Sequence, residues 1–477
     1  MHAHPLVAGE PRPGSVSNPF TAPWDGAPLG TVSLADADTV DAAVASAHTA
    51  FAATAALPAH RRRALLTAIS RALAADETGF AELIAREVAK PVALARGEVQ
   101  RAVETFALGA EESVRRGGDT LPLDRTAAGA GAVAITRRVP RGPVLAITPF
   151  NFPLNLVAHK LAPAFAVGAP VVLKPAPQAP LTAARLAGVV HRACDEAGVS
   201  RAILQMVPCP NDIAEAMVRD PRLPVVSFTG SDAVGWKLRA AAPRKTMVLE
   251  LGGNAALIAA ADADVDDAVA RAVAGGFAYA GQVCIKAQRL FVHADLYEAF
   301  VAKLTERVAA LPVCDPMDAA GLCSALIDER SARRVRQWIA DAVAGGATVR
   351  CGGGGEGSRV PPAVVTGAVA GMRLVDDEVF GPVVTVHRWS DADALFAEVN
   401  AGRYGLQAGL LTRDLGLAAQ AFRRLEVGAV ILGDGPTFRV DAMPYGGVKD
   451  SGAGREGVRS AVGELTDLRM LVWRGLG

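Results

Sequence analysis

The 477-residue sequence predicts an α/β protein built from two parallel sheets, each flanked by helices. From about residue 141 onward, short apolar runs of strand length alternate with helical segments, which is the pattern of a parallel sheet covered by helices. The same alternation resumes after Glu250, so we expect two α/β domains with their boundary close to that residue. Hydrophobic residues make up 51% of the chain, which suits large cores.

Helical spacing and strand-length runs predict the individual elements in order. The region 37–116 is predicted to be helical because alanine-rich segments, such as 61–75 and 98–115, carry charges at helical spacing. The first α/β region is predicted to contain strands at 143–147, 170–173, 202–207 and 225–228 and helices at 181–196 and 213–218. The second is predicted to contain strands at 255–258, 289–292, 364–365 and 383–387 and helices at 265–280, 295–309, 328–344 and 392–400.

Two segments do not fit either sheet. Residues 118–140 contain an alternating run at 132–139 and are predicted to form a projecting hairpin. The tail at 468–473 has the composition of a strand but has no partner nearby in sequence. Because unpaired strands often meet across a subunit interface, we expect the tail strand to pair with a neighbouring subunit.

Composition and charge argue against several classes of function. Lys plus Arg and Asp plus Glu both number 49, so there is no basic excess for nucleic acid, and a small-molecule partner is expected. The six cysteines form no CxxC pair and the eight histidines no HExxH motif, so no metal site is expected. Residues 142–158 are the least polar long run, but three prolines and two asparagines argue against a membrane helix. The start lacks the pattern of a signal peptide, and a reduced, cytoplasmic protein is expected.

Two glycine-marked segments carry residues suited to covalent catalysis. The segment 279–284 places Cys284 after glycine and glutamine at the end of a predicted helix, and a thiol with a lowered pKa or an adjacent base is a nucleophile. The segment 249–254 places Glu250 between a strand and two glycines, where a carboxylate could activate water. The alternatives are an inert core thiol, which is how we interpret the other five cysteines, and a surface glutamate.

Asn151 and Lys174 follow predicted strands. Asn151 lies in Pro-Phe-Asn-Phe-Pro at 149–153, where a rigid side-chain N–H donor suits an oxyanion hole, although a plain turn asparagine is the commoner case. Lys174 lies at the carboxyl end of a strand, where ligands bind in open α/β sheets and a lysine could meet ribose or phosphate. An exposed strand-end lysine is the alternative.

Two further turns suit a nucleotide. Phe-Thr-Gly-Ser at 228–231, followed by Gly235, is a strand–glycine–helix turn whose free amides and Ser231 hydroxyl could bind pyrophosphate. The alternative is an ordinary strand–helix turn, which has the same sequence pattern. Glu378 and Phe380 share one tight loop, in which a carboxylate could hold a sugar hydroxyl and an aromatic ring could pack on a flat ring.

Together these motifs resemble the NAD(P)-dependent aldehyde dehydrogenase superfamily over nearly the whole chain. The matching motifs are Pro-Phe-Asn-Phe-Pro at 149–153, Lys174-Pro175, Phe-Thr-Gly-Ser at 228–231, Leu-Glu-Leu-Gly-Gly at 249–253, Gly-Gln-Val-Cys at 281–284, Glu-Val-Phe-Gly-Pro at 378–382, Asn400 with Tyr404-Gly405-Leu406, and Pro-Tyr-Gly-Gly at 444–447 with Lys449, Ser451-Gly452 and Gly-Arg-Glu at 454–456. Each motif alone is weak, but all of them in this order and at family-like spacing are very specific.

The resemblance implies a catalytic role for four residues. Cys284 would add to the aldehyde to give a thiohemiacetal, with Asn151 and the Cys284 backbone N–H as the oxyanion hole. Hydride transfer to the nicotinamide would leave a thioester, and Glu250 would activate the water that hydrolyses it. Lys160 matches a lysine that is often assigned to proton relay.

The resemblance also implies a site for NAD or NADP. Lys174 would bind the adenosine ribose, Ser231 the pyrophosphate and Glu378 the nicotinamide ribose, with Phe380 beside it. The remaining implied contacts are Ile147, Thr148, Pro149, Phe150, Gly230, Gly235 and Leu251.

The implied fold is aldehyde dehydrogenase-like, with two Rossmann-type parallel-sheet domains plus a small β oligomerisation domain. The cofactor-binding domain would comprise 1–117 and 141–252, the catalytic domain 253–445, and the oligomerisation domain 118–140 and 446–477. A homodimer or homotetramer is therefore expected.

Three positions depart from common family patterns. Many NAD-preferring members have an acidic residue where this chain has Pro177, and its absence removes a barrier to the 2′-phosphate of NADP. Gly433 stands where many members have asparagine, with no consequence that the sequence indicates. Val283, next to the nucleophile, lacks the positive charge that would have indicated an anionic aldehyde.

Two segments, 155–160 and 436–441, resemble a bacterial subgroup near lactaldehyde, phosphonoformaldehyde and non-phosphorylating glyceraldehyde-3-phosphate dehydrogenases. That subgroup indicates small, polar or acidic aldehydes. Arg439 is a candidate for binding an acidic tail, with a surface-loop arginine as the alternative.

Two other functions were weighed against aldehyde oxidation. A CoA-acylating relative would pass the thioester to CoA, but such members often lack the glutamate found here at Glu250. A non-catalytic family member would not need Cys284, Asn151 and Glu250 intact.

Overall fold

The computed structural model describes residues 1–12, 14, 17–115 and 117–475. Short strands and four helices make up the chain as far as residue 140. They are β1 (His2–Ala3), β2 (Leu6–Val7), β3 (Glu10–Pro11), β4 (Ser17–Thr21), β5 (Pro28–Ser33), α1 (Ala37–Ala55), α2 (Ala59–Ala75), α3 (Glu77–Val88), α4 (Val92–Arg115), β6 (Thr120–Pro122) and β7 (Ala132–Pro140). The predicted helical region is thus confirmed as four separate helices.

The next stretch alternates strand and helix as predicted. Its elements are β8 (Val144–Ile147), α5 (Asn155–Val167), β9 (Val171–Lys174), α6 (Pro180–Ala197), β10 (Leu204–Met206), α7 (Asn211–Arg219), β11 (Val225–Thr229), α8 (Asp232–Ala241) and β12 (Thr246–Glu250).

Strands and helices continue as far as residue 474. The elements are β13 (Ala255–Ala259), α9 (Val265–Phe277), β14 (Ala287–His293), α10 (Tyr297–Ala309), α11 (Glu329–Ala344), β15 (Thr348–Cys351), β16 (Ala363–Thr366), α12 (Arg373–Asp376), β17 (Val383–Trp389), α13 (Ala392–Ala401), β18 (Tyr404–Gly405), β19 (Gln407–Leu411), α14 (Leu415–Arg424), β20 (Ala429–Leu432), β21 (Val448–Lys449), β22 (Gly452–Ala453), α15 (Val458–Glu464) and β23 (Thr466–Arg474).

Two large sheets organise these elements, and the predicted α/β class is confirmed. The first has the order β22-β12-β11-β8-β9-β10-β2-β3, with five parallel central strands and antiparallel edges. The second has the order β15-β16-β17-β14-β13-β19-β20 and is parallel except for β15. Every residue of β8, β9 and β13 is buried, because helices cover both faces of a parallel sheet.

Helix α5 is the most deeply buried helix segment near the site. All its residues from Asn155 to Ala166 are buried, because it packs between the first sheet and helices α2 and α4. A helix that is apolar all round belongs in a protein core. Its polar side chains, Asn155, His159 and Lys160, therefore point into the interior and need internal partners.

The small three-stranded sheet has the order β23-β7-β6. Strands β6 and β7 are antiparallel, as predicted for the hairpin. The tail strand indeed has no partner nearby in sequence, and β23 pairs with β7 of its own chain, from Thr466 opposite Pro140 to Arg474 opposite Ala132. The partner lies far earlier in the sequence, where local pattern gives no hint of the pairing. Elsewhere in 446–477, β22 joins the first large sheet, and α15 packs on α4 and α5.

The predicted helix 265–280 ends earlier, at Phe277. Tyr279 and Ala280 adopt left-handed φ angles of 54° and 51°, followed by Gly281 at 68°. Left-handed φ strains residues other than glycine, and such strain concentrates at functional sites. The chain therefore leaves the helix through a tight turn just before Cys284.

No helix in the described ranges is long and apolar enough to cross a membrane. Within the same ranges, no group of three or more His, Cys, Asp or Glu side chains is placed to hold a metal ion. All six cysteines are described and are free thiols.

Candidate active site

A cavity of about 860 Å³ lies where the carboxyl ends of strands from both large sheets meet. This volume lies in the upper part of the range of about 300–1,000 Å³ for small-molecule sites. Of the predicted site residues, all but Lys160 and Gly235 line it; these lining residues are Ile147, Thr148, Pro149, Phe150, Asn151, Lys174, Gly230, Ser231, Glu250, Leu251, Cys284, Glu378 and Phe380. Side chains from distant segments thus meet in one space, at the position where open α/β sheets bind ligands.

Cys284 lies in the turn between the strained segment and β14, and it is half-buried. Its Sγ is 3.0 Å from the hydroxyl oxygen of Tyr445. Burial raises the pKa of the Cys284 thiol to about 11, while the Tyr445 hydrogen bond and the charge of Arg439 act in the opposite direction. Ionisation of this thiol therefore depends on the groups immediately around the sulfur.

The turn before Cys284 is fixed by close packing and by the side chain of Gln282. A Cβ at Gly281 would lie 2.3 Å from the Gly381 carbonyl oxygen, so only glycine fits there. The Gln282 side-chain oxygen accepts a hydrogen bond of 3.0 Å from the Ile327 backbone N–H. These contacts hold the strained backbone in one conformation.

Asn151 is buried in the loop between β8 and α5 and faces the Cys284 turn. Its Nδ2 donates a hydrogen bond of 2.9 Å to the Gln282 carbonyl oxygen. A side-chain amide has two N–H donors, so a second N–H remains for a ligand. Asn151 is thus oriented beside the nucleophile candidate.

Glu250 ends β12 and is buried. Neither of its carboxylate oxygens has a hydrogen-bond partner among the described residues. Burial raises the pKa of Glu250 well above its ordinary value and Glu456 raises it further, whereas Arg439 and Lys160 lower it. A Cβ on Gly446 would lie 2.9 Å from Glu250 Oε1, so the glycine leaves room for the carboxylate. A buried, unpartnered carboxylate with a perturbed pKa in a cavity is a candidate general base.

Lys160 lies behind the cavity wall, on α5. Its Nζ donates to Ser227 Oγ at 3.0 Å, Thr229 Oγ1 at 2.8 Å and Glu456 Oε1 at 3.1 Å. Burial alone would raise the pKa of Glu456, but Lys160, followed by His159 and Arg439, outweighs it and lowers that pKa to about 2. Lys160 and Glu456 therefore form a buried, charged pair near Glu250.

The side chain of Arg439 is buried, and the surface-loop interpretation of this residue was wrong. Its side chain is 7% exposed, and Nη2 lies 3.3 Å from Glu456 Oε2. The guanidinium carbon is 3.5 Å from the centroid of the Tyr445 ring. Arg439 thus stands directly behind the tyrosine that contacts Cys284.

The other end of the cavity carries the predicted cofactor contacts. Lys174 Nζ donates to Asn211 Oδ1 at 3.1 Å, and burial lowers the Lys174 pKa. Ser231 is the N-cap of α8, and its side chain accepts no capping bond from the described backbone. Gly235 is buried behind Leu251, whose Cδ2 would lie 2.3 Å from an added Cβ, so the glycine brings α8 close to the cavity wall. A free hydroxyl at a helix start, in the same cavity as a lysine, suits a phosphate.

Glu378 and Phe380 are placed between this end and Cys284. Glu378 Oε1 accepts a hydrogen bond of 2.9 Å from the Gly253 N–H, and burial raises the pKa of Glu378 to about 7. Phe380 adopts a φ of 45° and meets Phe150 edge to face, with ring centroids 6.0 Å apart. The carboxyl, the aromatic rings and the phosphate end together suit the chemistry of a nicotinamide dinucleotide.

Two of the three departures from family patterns have structural outcomes. Pro177 lines the cavity at its cofactor end and is exposed, so no charge opposes a phosphate at that position. Gly433 adopts a φ of 77°, a left-handed angle that glycine and asparagine both tolerate. The glycine-for-asparagine exchange is therefore neutral for the backbone.

Sequence reasoning gave no role to Tyr445 or Glu456. Both stand in motifs that match the family, but their contacts join distant segments: Tyr445 is 161 positions from Cys284, and Glu456 is 296 positions from Lys160. The only available signal was their place in the motif around residues 444–456.

Comparisons with known proteins agree with this geometry. Residues 13–471 match the aldehyde dehydrogenase family. The chain is 41% identical over 446 residues to 3-sulfolactaldehyde dehydrogenase from Priestia aryabhattai, covering 93% of this chain and 92% of the relative. Among solved structures, aldehyde dehydrogenase 21 from Physcomitrella patens, in complex with its reaction product succinate, superposes with a TM-score of 0.97 at 38% identity, over 100% of this chain and 99% of that chain. NADP-dependent glyceraldehyde-3-phosphate dehydrogenase from Bacillus halodurans C-125, complexed with NADP, has a TM-score of 0.95 at 33% identity, over 99% of both chains.

The chain therefore belongs to the aldehyde dehydrogenase family, and the resemblance seen in its sequence is confirmed. It is an oxidoreductase that converts an aldehyde to the carboxylate with NAD or NADP.

Proposed function

We propose that Cys284, Asn151 and Glu250 carry out the aldehyde oxidation, and that the substrate is a small aldehyde with an acidic group at its far end. The observation that supports the catalytic assignment is the meeting of these three side chains, from three separate segments, in one cavity. The observation that supports the substrate class is the buried guanidinium of Arg439 behind the nucleophile.

The first step is covalent. The Cys284 thiolate attacks the aldehyde carbon, and the carbonyl electron pair moves onto oxygen as the C–S bond forms. Asn151 stabilises that oxygen with its free amide N–H, since its other N–H is used on Gln282. The backbone N–H of Cys284 is the second donor. NAD or NADP, when bound, would supply the acceptor for a hydride from the former aldehyde carbon. As that C–H bond breaks, the electron pair on oxygen re-forms the carbonyl, and the acyl group remains on Cys284 as a thioester.

The second step is hydrolysis of the thioester. Glu250 accepts a proton from water as the water oxygen attacks the acyl carbon, and the Cys284 sulfur leaves. Its unpartnered carboxylate is available for this because it is not engaged by another described side chain. Lys160 supports the base from a distance, as a positive charge that favours the ionised form of Glu250.

An acidic substrate agrees with the charge behind the nucleophile. The Arg439 guanidinium carries a positive charge into an interior that also contains Lys160 and the carboxylates Glu250 and Glu456. The relative from Priestia aryabhattai acts on an aldehyde with a sulfonate, and the Physcomitrella patens structure holds the dicarboxylate succinate. Both names describe acids of small size.

The substrate class is tested with a matched pair of aldehydes, succinic semialdehyde and butyraldehyde. For Arg439→Met we expect kcat/KM for the acidic aldehyde to fall about tenfold or more relative to the neutral one, because a hydrogen bond to a charged group contributes about 1.5–3 kcal/mol. Arg439→Lys keeps the charge and should retain much of the preference. The ratio of the two substrates cancels any general loss from disturbing Glu456, and an unchanged ratio would contradict the acidic-substrate assignment.

Hydrolysis to the carboxylate is favoured over transfer to CoA because Glu250 is present in the cavity. The test is turnover without CoA. We expect steady NAD(P)H formation by the wild-type enzyme in its absence and none by Cys284→Ala. A requirement for CoA would establish the acylating alternative, and normal turnover by Cys284→Ala would remove the cysteine mechanism.

We further propose a homo-oligomer assembled through the three-stranded sheet. Large apolar side chains on β23 are exposed, namely Leu468, Met470, Leu471, Val472 and Trp473. An exposed apolar edge strand of this kind is a pairing surface. Light scattering should give a dimer or tetramer, and Leu471→Asp with Met470→Asp should dissociate it; a monomeric wild-type protein would contradict the assignment.

The positions of the site residues in the two large sheets indicate a role for each sheet. We propose that the first large sheet binds the cofactor and the second carries the nucleophile, since Lys174 and Ser231 belong to the former and Cys284 precedes β14 of the latter.

A reducing, cytoplasmic location is supported by the six free thiols.

A further inference from the structure

Tyr445 contacts the sulfur on which the proposed reaction takes place. Its hydroxyl oxygen lies 3.0 Å from Cys284 Sγ, within hydrogen-bonding distance for a sulfur atom. Tyr445 is 4% exposed and packs with Ile285 and Leu406, so its ring has little freedom to turn away. A fixed hydroxyl therefore faces the nucleophile.

The tyrosine is itself held by a charged neighbour. The Arg439 guanidinium stacks at 3.5 Å from the ring centroid, in the geometry of a cation–π contact. Arg439 is in turn paired with Glu456, which is paired with Lys160. A cation over the ring withdraws electron density from the phenol, which makes its O–H a better donor.

We propose that Tyr445 is a catalytic residue whose O–H donates a hydrogen bond to the Cys284 sulfur and stabilises the thiolate that attacks the aldehyde. The proposal rests on the assignment of Cys284 as the nucleophile. It adds a neutral hydrogen-bond donor, 161 positions along the chain from Cys284, to the thiol, the amide and the glutamate of the site.

The charges around the sulfur explain why a neutral donor is useful there. Arg439 favours the thiolate, whereas Glu250 and Glu378 oppose it. Burial, the Cys284 charge and Glu250 together raise the Tyr445 pKa well above its ordinary value, although Arg439 opposes them, so the phenol stays protonated at working pH. A protonated phenol can always donate, and a hydrogen bond to the charged form of a group favours that form.

The test is the alkylation rate of Cys284 with iodoacetamide in Tyr445→Phe. Only the hydroxyl is removed, so the ring still packs. Rates are followed from about pH 6 to about pH 10.5, a range below the raised pKa of Cys284, in which the alkylation rate follows the thiolate fraction. The Cys284 peptide is quantified by mass spectrometry, because five other thiols are present. The matched control is Tyr297→Phe, whose half-buried ring lies on α10 under Arg388.

We expect Tyr445→Phe to react about tenfold more slowly than wild type at neutral pH, with its profile displaced about one unit to higher pH. Tyr297→Phe should match wild type. A coincident profile for Tyr445→Phe and wild type would overturn the proposal. Because alkylation requires no aldehyde or cofactor, this outcome is separate from that of Cys284→Ala turnover, which tests the nucleophile itself.

Discussion

Asn151 Nδ2 donates a hydrogen bond of 2.9 Å to the carbonyl oxygen of Gln282. This bond joins the loop after β8, in the first large sheet, to the turn that precedes β14 in the second. One side chain thus fixes the relative position of the candidate oxyanion donor and the candidate nucleophile. Small displacements in such a site are costly, because donors stabilise an oxyanion only when they are already in place.

For Asn151→Ala, we expect kcat to fall by about a hundredfold to a thousandfold, the usual loss for one oxyanion-hole donor. The KM should change little, since the donor acts mainly as charge develops. Steady-state kinetics measures both constants. Asn18→Ala, on the exposed strand β4, is the matched control and should behave as wild type. An Asn151→Ala enzyme with unchanged kcat would contradict the assigned role.

For Glu250→Gln, we expect a burst of NAD(P)H followed by slow turnover, because the thioester forms but its hydrolysis lacks a base. In wild type the base must be ionised, and its pKa is raised by burial. The ionised fraction therefore increases as pH rises through that elevated pKa, and the hydrolysis rate should increase with it. Stopped-flow absorbance measures burst and steady phases. A Glu250→Gln enzyme that keeps the wild-type pH profile of the steady phase would show that another group is the base.

For Pro177→Glu, we expect kcat/KM for NADP to fall while that for NAD is retained. A carboxylate 4 Å from the 2′-phosphate adds a like-charge repulsion of about 1 kcal/mol in water and about 4 kcal/mol near a protein surface. Even the smaller value would lower kcat/KM for NADP by roughly fivefold. Pro177→Ala separates the charge from loss of the ring and should leave both cofactors unaffected. Equal use of NADP by Pro177→Glu and wild type would place the 2′-phosphate elsewhere.

For Lys90→Met, we expect a loss of stability. Lys90 forms a fully buried ion pair with Glu98, and Glu98 Oε1 also accepts the N–H groups of Leu154 and Asn155 at the start of α5, at 2.8 and 3.0 Å. Removing one partner leaves a buried charge and typically costs about 3–5 kcal/mol.

Urea denaturation measures this loss in Lys90→Met. The exposed pair of Lys303 with Asp266 provides the control, since Lys303→Met should cost about 1 kcal/mol or less. The double variant Lys90→Met/Glu98→Gln should recover part of the loss, because the uncompensated charge is gone. A Lys90→Met protein as stable as the Lys303→Met protein would show that the buried pair contributes little.

Much of this architecture was readable in the sequence, because strands buried on both faces give continuous apolar runs. Strands β8, β9, β11 and β13 were found in that way. The two-residue strands at the N-terminus were missed, because β1 and β2 are too short to show any period. The tail strand was recognised, but its pairing with β7 was not, since register between distant segments leaves no local trace.

The site likewise has features that the sequence predicts and features that it does not. The glycine-marked turns around Cys284 and Glu250 were visible because tight backbone approach requires glycine at fixed positions. The early end of α9 was not visible, because Tyr279 and Ala280 adopt left-handed angles that their residue types do not favour. The Tyr445 contact and the burial of Arg439 depend on how distant segments pack, which no local pattern encodes.

The measurement that tests the central claim most directly is mass spectrometry of Glu250→Gln quenched with acid during the burst with aldehyde and NADP. The account predicts an acyl group on the peptide that contains Cys284, in an amount equal to the NADPH formed in the burst. Reduced cofactor without an acyl adduct, or an adduct on another residue, would contradict it.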